Sequence, residues 1–301
     1  MIGKGNDCLF PLYLPIPGYD SKLRVRCGKC INCKAHKAQE WCIRLEMESK
    51  YWDDMCFVTL TYNDDSLPVH VIDGTLFYSD EEIRCHPELS YIYEPTLRPD
   101  HLRNFIKRLR KRLAFPCRYY AVGEYGTKYG RSHYHILFFG IPGTIVTQKL
   151  IEECWPYGFV QVRPFFRETC TYIAGYVQKK LYGKEKYWFK LPEFMRCSQH
   201  LGERWLMDHL SEFDVEHPYI NLHGYKYGIP RYFRKKLVAL GKLKETSLVV
   251  CAELQKQEYK DLCKALEGQK VSLSEFFRFR IKKAVEKQKR KLFKRNKTGD
   301  I

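Results

Sequence analysis

The middle of the chain carries its pattern openly. In MCFVTLTY (55–62) the residues alternate, with Phe57, Thr59 and Thr61 on one side and Val58, Leu60 and Tyr62 on the other, which predicts a strand. After Pro99 the period changes. Leu102, Phe105, Ile106, Leu109 and Leu113 recur every three to four residues through DHLRNFIKRLRKRL and form the apolar stripe of a helix. CRYYAVGEY (117–125) reads as a second strand, GTKYGR as a glycine-rich turn, and RSHYHILFFG (131–140) as a third strand. A short helix over 146–154, a short strand over 158–163 and a helix over 168–182 complete the series. The order β-α-β-β-α-β predicts an α+β fold: a ferredoxin-like, RRM-like antiparallel sheet with helices packed on one face.

Outside this core the pattern is weaker. A helix is expected near 34–51, and residues 63–96, rich in Asp, Pro and Tyr, read as an irregular insertion. Beyond 185 the signal returns only at Ser272-Leu-Ser-Glu275, a capping-box pattern that opens a final helix. The expected organisation is a Cys-rich segment at 1–52, a core at 53–185 and a basic, largely helical region at 186–301.

Charge narrows the partners. Lys and Arg number 52 against 35 Asp and Glu, a net charge of +17 that favours a polyanion. Nucleic acid, an anionic membrane and an acidic protein are the candidates, and no apolar run approaches a membrane-spanning length. Arg103, Lys107, Arg110 and Lys111 line the polar side of the 99–113 helix. Eleven Lys or Arg, among them Arg278, Arg280, Lys282 and Lys283, fall between 276 and 297. Both runs are expected to contact phosphates, and the 22 tyrosines offer rings on which unpaired bases can stack. LFPLYLPIP is short, holds three prolines and has no cleavage-site pattern, so no signal peptide is expected. With 13 cysteines, an odd number, a reducing cytosol with metal-binding or free thiols is expected.

Two stretches carry chemistry. His133 and His135 stand two apart in a strand, so their imidazoles project from the same side. The turn GTKYGR would fold Glu124 of the preceding strand back beside them. Two histidines and a carboxylate suit an open, catalytic divalent metal site, although the same set serves non-haem iron oxygenases and buried polar clusters. In TYIAGYVQKK (171–180), Tyr172 and Tyr176 lie four apart on one helical face, with Lys179 and Lys180 one turn further on. Two phenols beside two ammonium groups make a place for a phosphate, and a tyrosine can act as a covalent nucleophile when activated. Cys27, Cys30 and Cys33 put three thiols within seven residues, and Cys8 or His36 could complete a tetrahedral zinc site. An iron–sulfur cluster is the other use of such ligands.

Taken together these motifs resemble the HUH endonucleases: FVTLTY (57–62) as a first motif, HYH (133–135) as a second and YIAGYVQKK (172–180) as a third. The paired tyrosines followed by lysines resemble the two-tyrosine rolling-circle replication initiators of microviruses, and CGKCINCKAHKAQEW resembles their gokushovirus-like branch. The resemblance implies that Glu124, His133 and His135 hold Mn²⁺ or Mg²⁺. It further implies that Tyr172 and Tyr176 attack a circular DNA origin and form 5′-phosphotyrosyl links, and that the ends are rejoined. Single-stranded and origin DNA, a host helicase and a host DNA polymerase are then the implied partners, in the cytoplasm of a bacterial host. No GxxxxGK[ST] stretch is present to drive unwinding. The competing expectation is a non-catalytic zinc-containing DNA- or RNA-binding protein.

Overall fold

The computed structural model describes residues 8–71, 93–126, 129–179, 190–214, 219–243, 248–269 and 271–297. The strands are β1 (Leu12–Ile16), β2 (Tyr19–Val25), β3 (Met55–Tyr62), β4 (Val69–Val71), β5 (Tyr93–Pro95), β6 (Arg118–Tyr125), β7 (Ser132–Phe139), β8 (Gly158–Pro164), β9 (Phe194–Cys197), β10 (Tyr219–Leu222) and β11 (Tyr225–Gly228). The helices are α1 (Ile31–Ser49), α2 (Pro99–Arg112), α3 (Ile145–Cys154), α4 (Glu168–Lys179), α5 (Glu203–Asp208), α6 (Arg231–Ala239), α7 (Leu248–Gly268) and α8 (Leu273–Lys297). The chain folds as two compact units, one of Trp41–Asp208 and one of Met1–Glu40 with His209–Ile301.

The first of these units is built on a five-stranded sheet ordered β8-β3-β7-β6-β9, with every neighbouring pair antiparallel. Its first four strands, with α2 and α3 as the connections, realise the β-α-β-β-α-β order, and β9 extends the sheet beside β6. Alternation decides the two faces. Val58, Leu60, Tyr62, Tyr134, Ile136 and Phe138 point to the face where α2 packs Leu102, Phe105, Ile106 and Leu109, all buried. Each such side chain removed from water contributes about 1.5–3 kcal/mol. Phe57, Tyr120, Val122, Leu137 and Phe139 point the other way.

That second face is covered as well. Leu45 of α1 and Cys170, Ile173, Ala174 and Tyr176 of α4 pack against it. The two crossover helices share one face as the pattern predicts, whereas the tyrosine helix docks on the opposite one. Of the 63–96 stretch, most lies outside the described residues, and its ends form the short antiparallel pair β4–β5 rather than irregular chain.

The second unit contains a hairpin that the sequence pattern did not reveal. β1 and β2 pair antiparallel around Pro17-Gly18, where Gly18 has φ +78, a left-handed value that costs a glycine nothing. The Gln255 side chain of α7 closes the β2 edge: it accepts from Arg24 N at 2.8 Å and donates to Arg24 O at 3.0 Å. A helix side chain thus satisfies backbone groups that an open edge would leave for another strand. β10 and β11 form a second hairpin through His223 (φ 51) and Gly224 (φ 76), the paired positive φ of a tight two-residue turn. The capping box is present at α8: Ser272 Oγ accepts from Glu275 N at 3.2 Å, and Glu275 Oε2 accepts from Ser272 N at 3.0 Å.

Candidate metal centre and tyrosine helix

β7 lies between β3 and β6, and the register pairs His133 with Thr61 and Glu124, and His135 with Thr59 and Val122. The turn that sets this register includes Gly130 at φ +65, and Gly126 N donates to Arg131 O at 2.9 Å. Glu124 Oε1 is 3.0 Å from His133 Nε2 and 3.3 Å from His135 Nε2. The three ligand atoms lie within 4.8 Å of one another. Glu124 and His135 have side chains 5% exposed and His133 16%, so the cluster is buried with one edge open.

The outer nitrogens are held too. His133 Nδ1 is 3.2 Å from the Arg131 carbonyl oxygen, which can only accept, so Nδ1 carries the proton there. His135 Nδ1 is 3.1 Å from Thr59 Oγ1. With its Nδ1 proton committed, a neutral His133 turns a bare Nε2 lone pair toward a carboxylate oxygen. Two acceptors at that distance repel unless a cation stands between them, whether a proton or a metal ion. Two imidazole nitrogens and a carboxylate oxygen converging in this way fit a divalent cation.

α4 brings the tyrosines to the same place. Ile173, Cys170 and Ala174 are buried against the sheet, and this docking turns the adjacent Tyr172 and Tyr176 toward the histidines. Tyr176 stacks on His135 with ring centroids 4.5 Å apart and planes inclined by 15°. Tyr172 stands edge-on to His135 at 6.2 Å and to Phe57 at 5.6 Å, and the Tyr176 hydroxyl donates to the Tyr172 hydroxyl. Other nucleophiles nearby are held inert. Burial pushes the Cys170 thiol well up, and burial likewise raises Cys42, against the partial offset of its contact with Thr171. Lys179 is the last residue of α4, and Lys180 lies outside the described residues.

The remaining candidates lie apart from this cluster. Arg103, Lys107, Arg110 and Lys111 are exposed on α2, which packs on the sheet face opposite the histidines. Arg278, Lys282 and Lys283 are exposed on α8 in the other unit, and Arg280 there is half-buried, its guanidinium 5.7 Å from the Phe276 ring centre. Cys8, Cys27, Cys30 and Cys33 converge with their sulfurs within 4.8 Å of one another. Cys8 rather than His36 completes that group, since the His36 ring lies by Glu40 at 4.0 Å. Sequence reasoning placed Thr59 beside the site as sheet support but did not single out Phe57 or the Arg131 carbonyl. Phe57 shares the alternation of Thr59 and Thr61 and was findable by it, whereas a backbone carbonyl leaves no mark in a sequence.

Comparison with known proteins bears on this geometry. The family model for replication-associated proteins of the ORF2 type matches residues 55–181, a span that runs from β3 to just beyond α4. The replication-associated protein ORF2 of Spiroplasma virus 4 is 31% identical over 234 residues, covering 71% of this chain and 67% of that protein. ORF4 of Chlamydia phage 1 is 29% identical over 241 residues, 71% of this chain and 54% of its own length. VP4 of Bdellovibrio phage phiMH2K is 28% identical over 232 residues, 69% and 65% respectively. The chain thus spans between about half and two thirds of the curated relatives it matches. Among solved structures, the N-terminal nuclease domain of minute virus of mice non-structural protein 1 is similar at 12% identity and a TM-score of 0.22, covering 60% of this chain and 84% of that one. That likeness is too loose to bear on the fold. Sequence kinship at this level is sufficient without it: the chain belongs to the ORF2 family of phage replication-associated proteins.

Proposed function

We propose that the protein initiates rolling-circle replication by nicking a circular DNA origin and later rejoining the ends. One observation carries the reading: Tyr172 and Tyr176 sit on the same sheet face as Glu124, His133 and His135, with Tyr176 stacked on His135 at 4.5 Å. Glu124, His133 and His135 would hold a divalent cation that draws charge from the scissile phosphate, and imidazole ligands favour Mn²⁺ over Mg²⁺.

The chain's own residues supply the remaining chemistry. The phenolic oxygen of one tyrosine attacks phosphorus, the bond from phosphorus to the 3′ oxygen breaks, and the phenolic proton is released as the 3′ oxygen becomes a hydroxyl. Contact between the two hydroxyls stabilises a developing phenolate, since the donating phenol puts its proton on the oxygen that is losing one. Lys179 and Lys180 would neutralise phosphate charge as it builds. The product is a 5′-phosphotyrosyl link that keeps the energy of the broken bond, so rejoining needs no nucleotide triphosphate. After a host polymerase has extended the 3′ end, with strand separation by a host helicase, the second tyrosine cleaves the regenerated origin. The freed 3′ hydroxyl then attacks the first phosphotyrosine, which releases a single-stranded circle and restores the phenol. Arg103, Lys107, Arg110 and Lys111, with the basic face of α8, would hold DNA phosphates away from the reacting centre. This places the work in the cytoplasm of a bacterial host.

Incubation with a circular single-stranded DNA carrying the origin and Mn²⁺ tests the reading. Nicked DNA bearing a covalent peptide at its 5′ end is expected, and none from the variant with both Tyr172→Phe and Tyr176→Phe. Covalent adducts that persist in this double variant would remove the tyrosines from the mechanism. Absence of any metal-dependent cleavage by the unaltered chain would leave a DNA- or RNA-binding protein.

A further inference from the structure

The four cysteines near the N-terminus belong to no part of the nicking chemistry. All are free thiols, and their separations are far beyond the roughly 2.05 Å of a disulfide. Ordinary packing of small apolar side chains gives no reason for four sulfurs to point at one spot.

We propose that Cys8, Cys27, Cys30 and Cys33 bind one structural zinc ion. Four thiolates at the usual zinc–sulfur distance of about 2.3 Å occupy the corners of a tetrahedron whose edges are about 3.8 Å. Cys8 Sγ lies 3.8 Å from Cys30 Sγ, and Cys27 Sγ lies 3.9 Å from Cys33 Sγ. The whole set fits within 4.8 Å. A four-iron cluster would hold its thiolates at the outer corners of a cube, spreading them further apart than this. The spacing therefore selects a single ion, and four sulfur ligands select a soft or borderline one.

The backbone prepares the sulfurs as anions. Cys27 N donates to Cys8 Sγ at 3.2 Å, Leu9 N to Cys30 Sγ at 3.4 Å, and Lys29 N and Cys30 N to Cys27 Sγ at 3.4 and 3.2 Å. Gly28, at φ +71, makes the turn that aims the last two N–H groups at the sulfur of Cys27. Such second-layer donors favour the thiolate, the form that ligates metal. Cys30 and Cys33 are buried and Cys8 and Cys27 half-buried. With four protein ligands no coordination position is left for substrate, which makes the site structural and not catalytic. It ties the chain ahead of β1 to the first turn of α1, joining the two ends of the hairpin segment by a strong local cross-link.

The test separates this ion from the one proposed at Glu124, His133 and His135, so either reading can fail alone. Full-length protein purified without added metal is analysed for zinc, then exchanged with Co²⁺ and examined by absorption. One equivalent of zinc is expected, with intense thiolate-to-cobalt charge-transfer bands and the visible bands of tetrahedral Co²⁺. The equivalent should remain in a variant carrying His133→Ala and His135→Ala and be lost in one carrying Cys27→Ser and Cys30→Ser. Should the cysteine variant not fold, the Co²⁺ spectrum of the unaltered chain and the zinc content of the histidine variant decide. A chain without zinc and without charge-transfer bands, zinc that departs with the histidines, or iron in its place would each overturn the proposal.

Discussion

At the scale of single residues, the centre depends on how two imidazoles are steered. His135 is fixed by the Thr59 hydroxyl at 3.1 Å and by the Tyr176 ring, while His133 is fixed by a carbonyl two residues away. Thr59→Val keeps the shape and removes the hydroxyl. Loss of such a supporting hydrogen bond typically weakens metal affinity about 10- to 100-fold. A titration of cleavage with Mn²⁺ should therefore need that much more metal, with activity recovered at saturation; an unchanged metal requirement would make Thr59 a plain strand residue. The tyrosines divide the work in a different way. Either single variant, Tyr172→Phe or Tyr176→Phe, should still form covalent adducts but release almost no closed circles, because rejoining needs a second nucleophile. Gel analysis of adducts and circles from the same reaction distinguishes this from a mechanism with one essential tyrosine. The histidine pair was legible because a strand repeats every two residues, and Glu124 because the Gly-rich turn sets the register. The positions of the ring nitrogens were not legible, since they depend on a carbonyl and a hydroxyl that no pattern announces.

At the scale of elements, two buried polar groups hold the sheet to its surroundings. Glu48, near the end of α1, is 2% exposed. It accepts from Arg118 of β6 at 2.9 Å, Trp52 Nε1 at 3.0 Å and Gly202 N at 2.7 Å. Glu48→Ala leaves three donors without their acceptor, one of them a half-buried guanidinium, and should cost about 3 kcal/mol in urea unfolding. On the other face, His101 of α2 bonds the Tyr62 hydroxyl at 3.0 Å and stacks on Tyr157 at 4.1 Å. Burial first, then Arg98 and Arg108 against the opposing pull of Asp100, lowers its pKa from 6.5 to about 4. Between those values the unfolded chain binds a proton that the folded chain refuses, so stability is full above about pH 6.5 and falls as the pH drops toward 4. Urea midpoints measured across this window should decline for the unaltered chain and decline less for His101→Phe, which keeps the ring stack and removes the titration. Strands and helices of the core were legible because each has one clean period. The β1–β2 hairpin was not: its prolines and exposed apolar residues mask the alternation, and its edge is satisfied by Gln255, more than 200 positions away.

At the scale of the whole molecule, the excess of 17 positive charges sets how the protein meets DNA. For a single strand, the logarithm of affinity falls with the logarithm of salt by about 0.7 for each phosphate neutralised. Replacing Arg103, Lys107, Arg110 and Lys111 together with Gln should flatten that slope by up to about 3 in fluorescence titrations, without loss of metal-dependent cleavage of a short oligonucleotide at low salt. An unchanged slope would make α2 a solvated surface. Two units, one with the sheet and one with the cysteine cluster, agree with a division of labour between chemistry and scaffold. The pairing of Met1–Glu40 with His209–Ile301 in one unit has no trace in local composition.

By itself the sequence determined the direction of each side chain along its own element. Period two placed His133 and His135 together, period 3.6 placed Tyr172 and Tyr176 together, and the charge balance named a polyanion as partner. Tertiary structure alone decided which faces meet. It put α4 on the face opposite the crossover helices, chose Cys8 over His36, added β9 to the sheet edge and seated Gln255 on β2. The reason is physical: backbone geometry repeats over a few residues and can be read locally. Which surfaces dock is settled by burial and hydrogen bonding between residues that the chain itself keeps far apart.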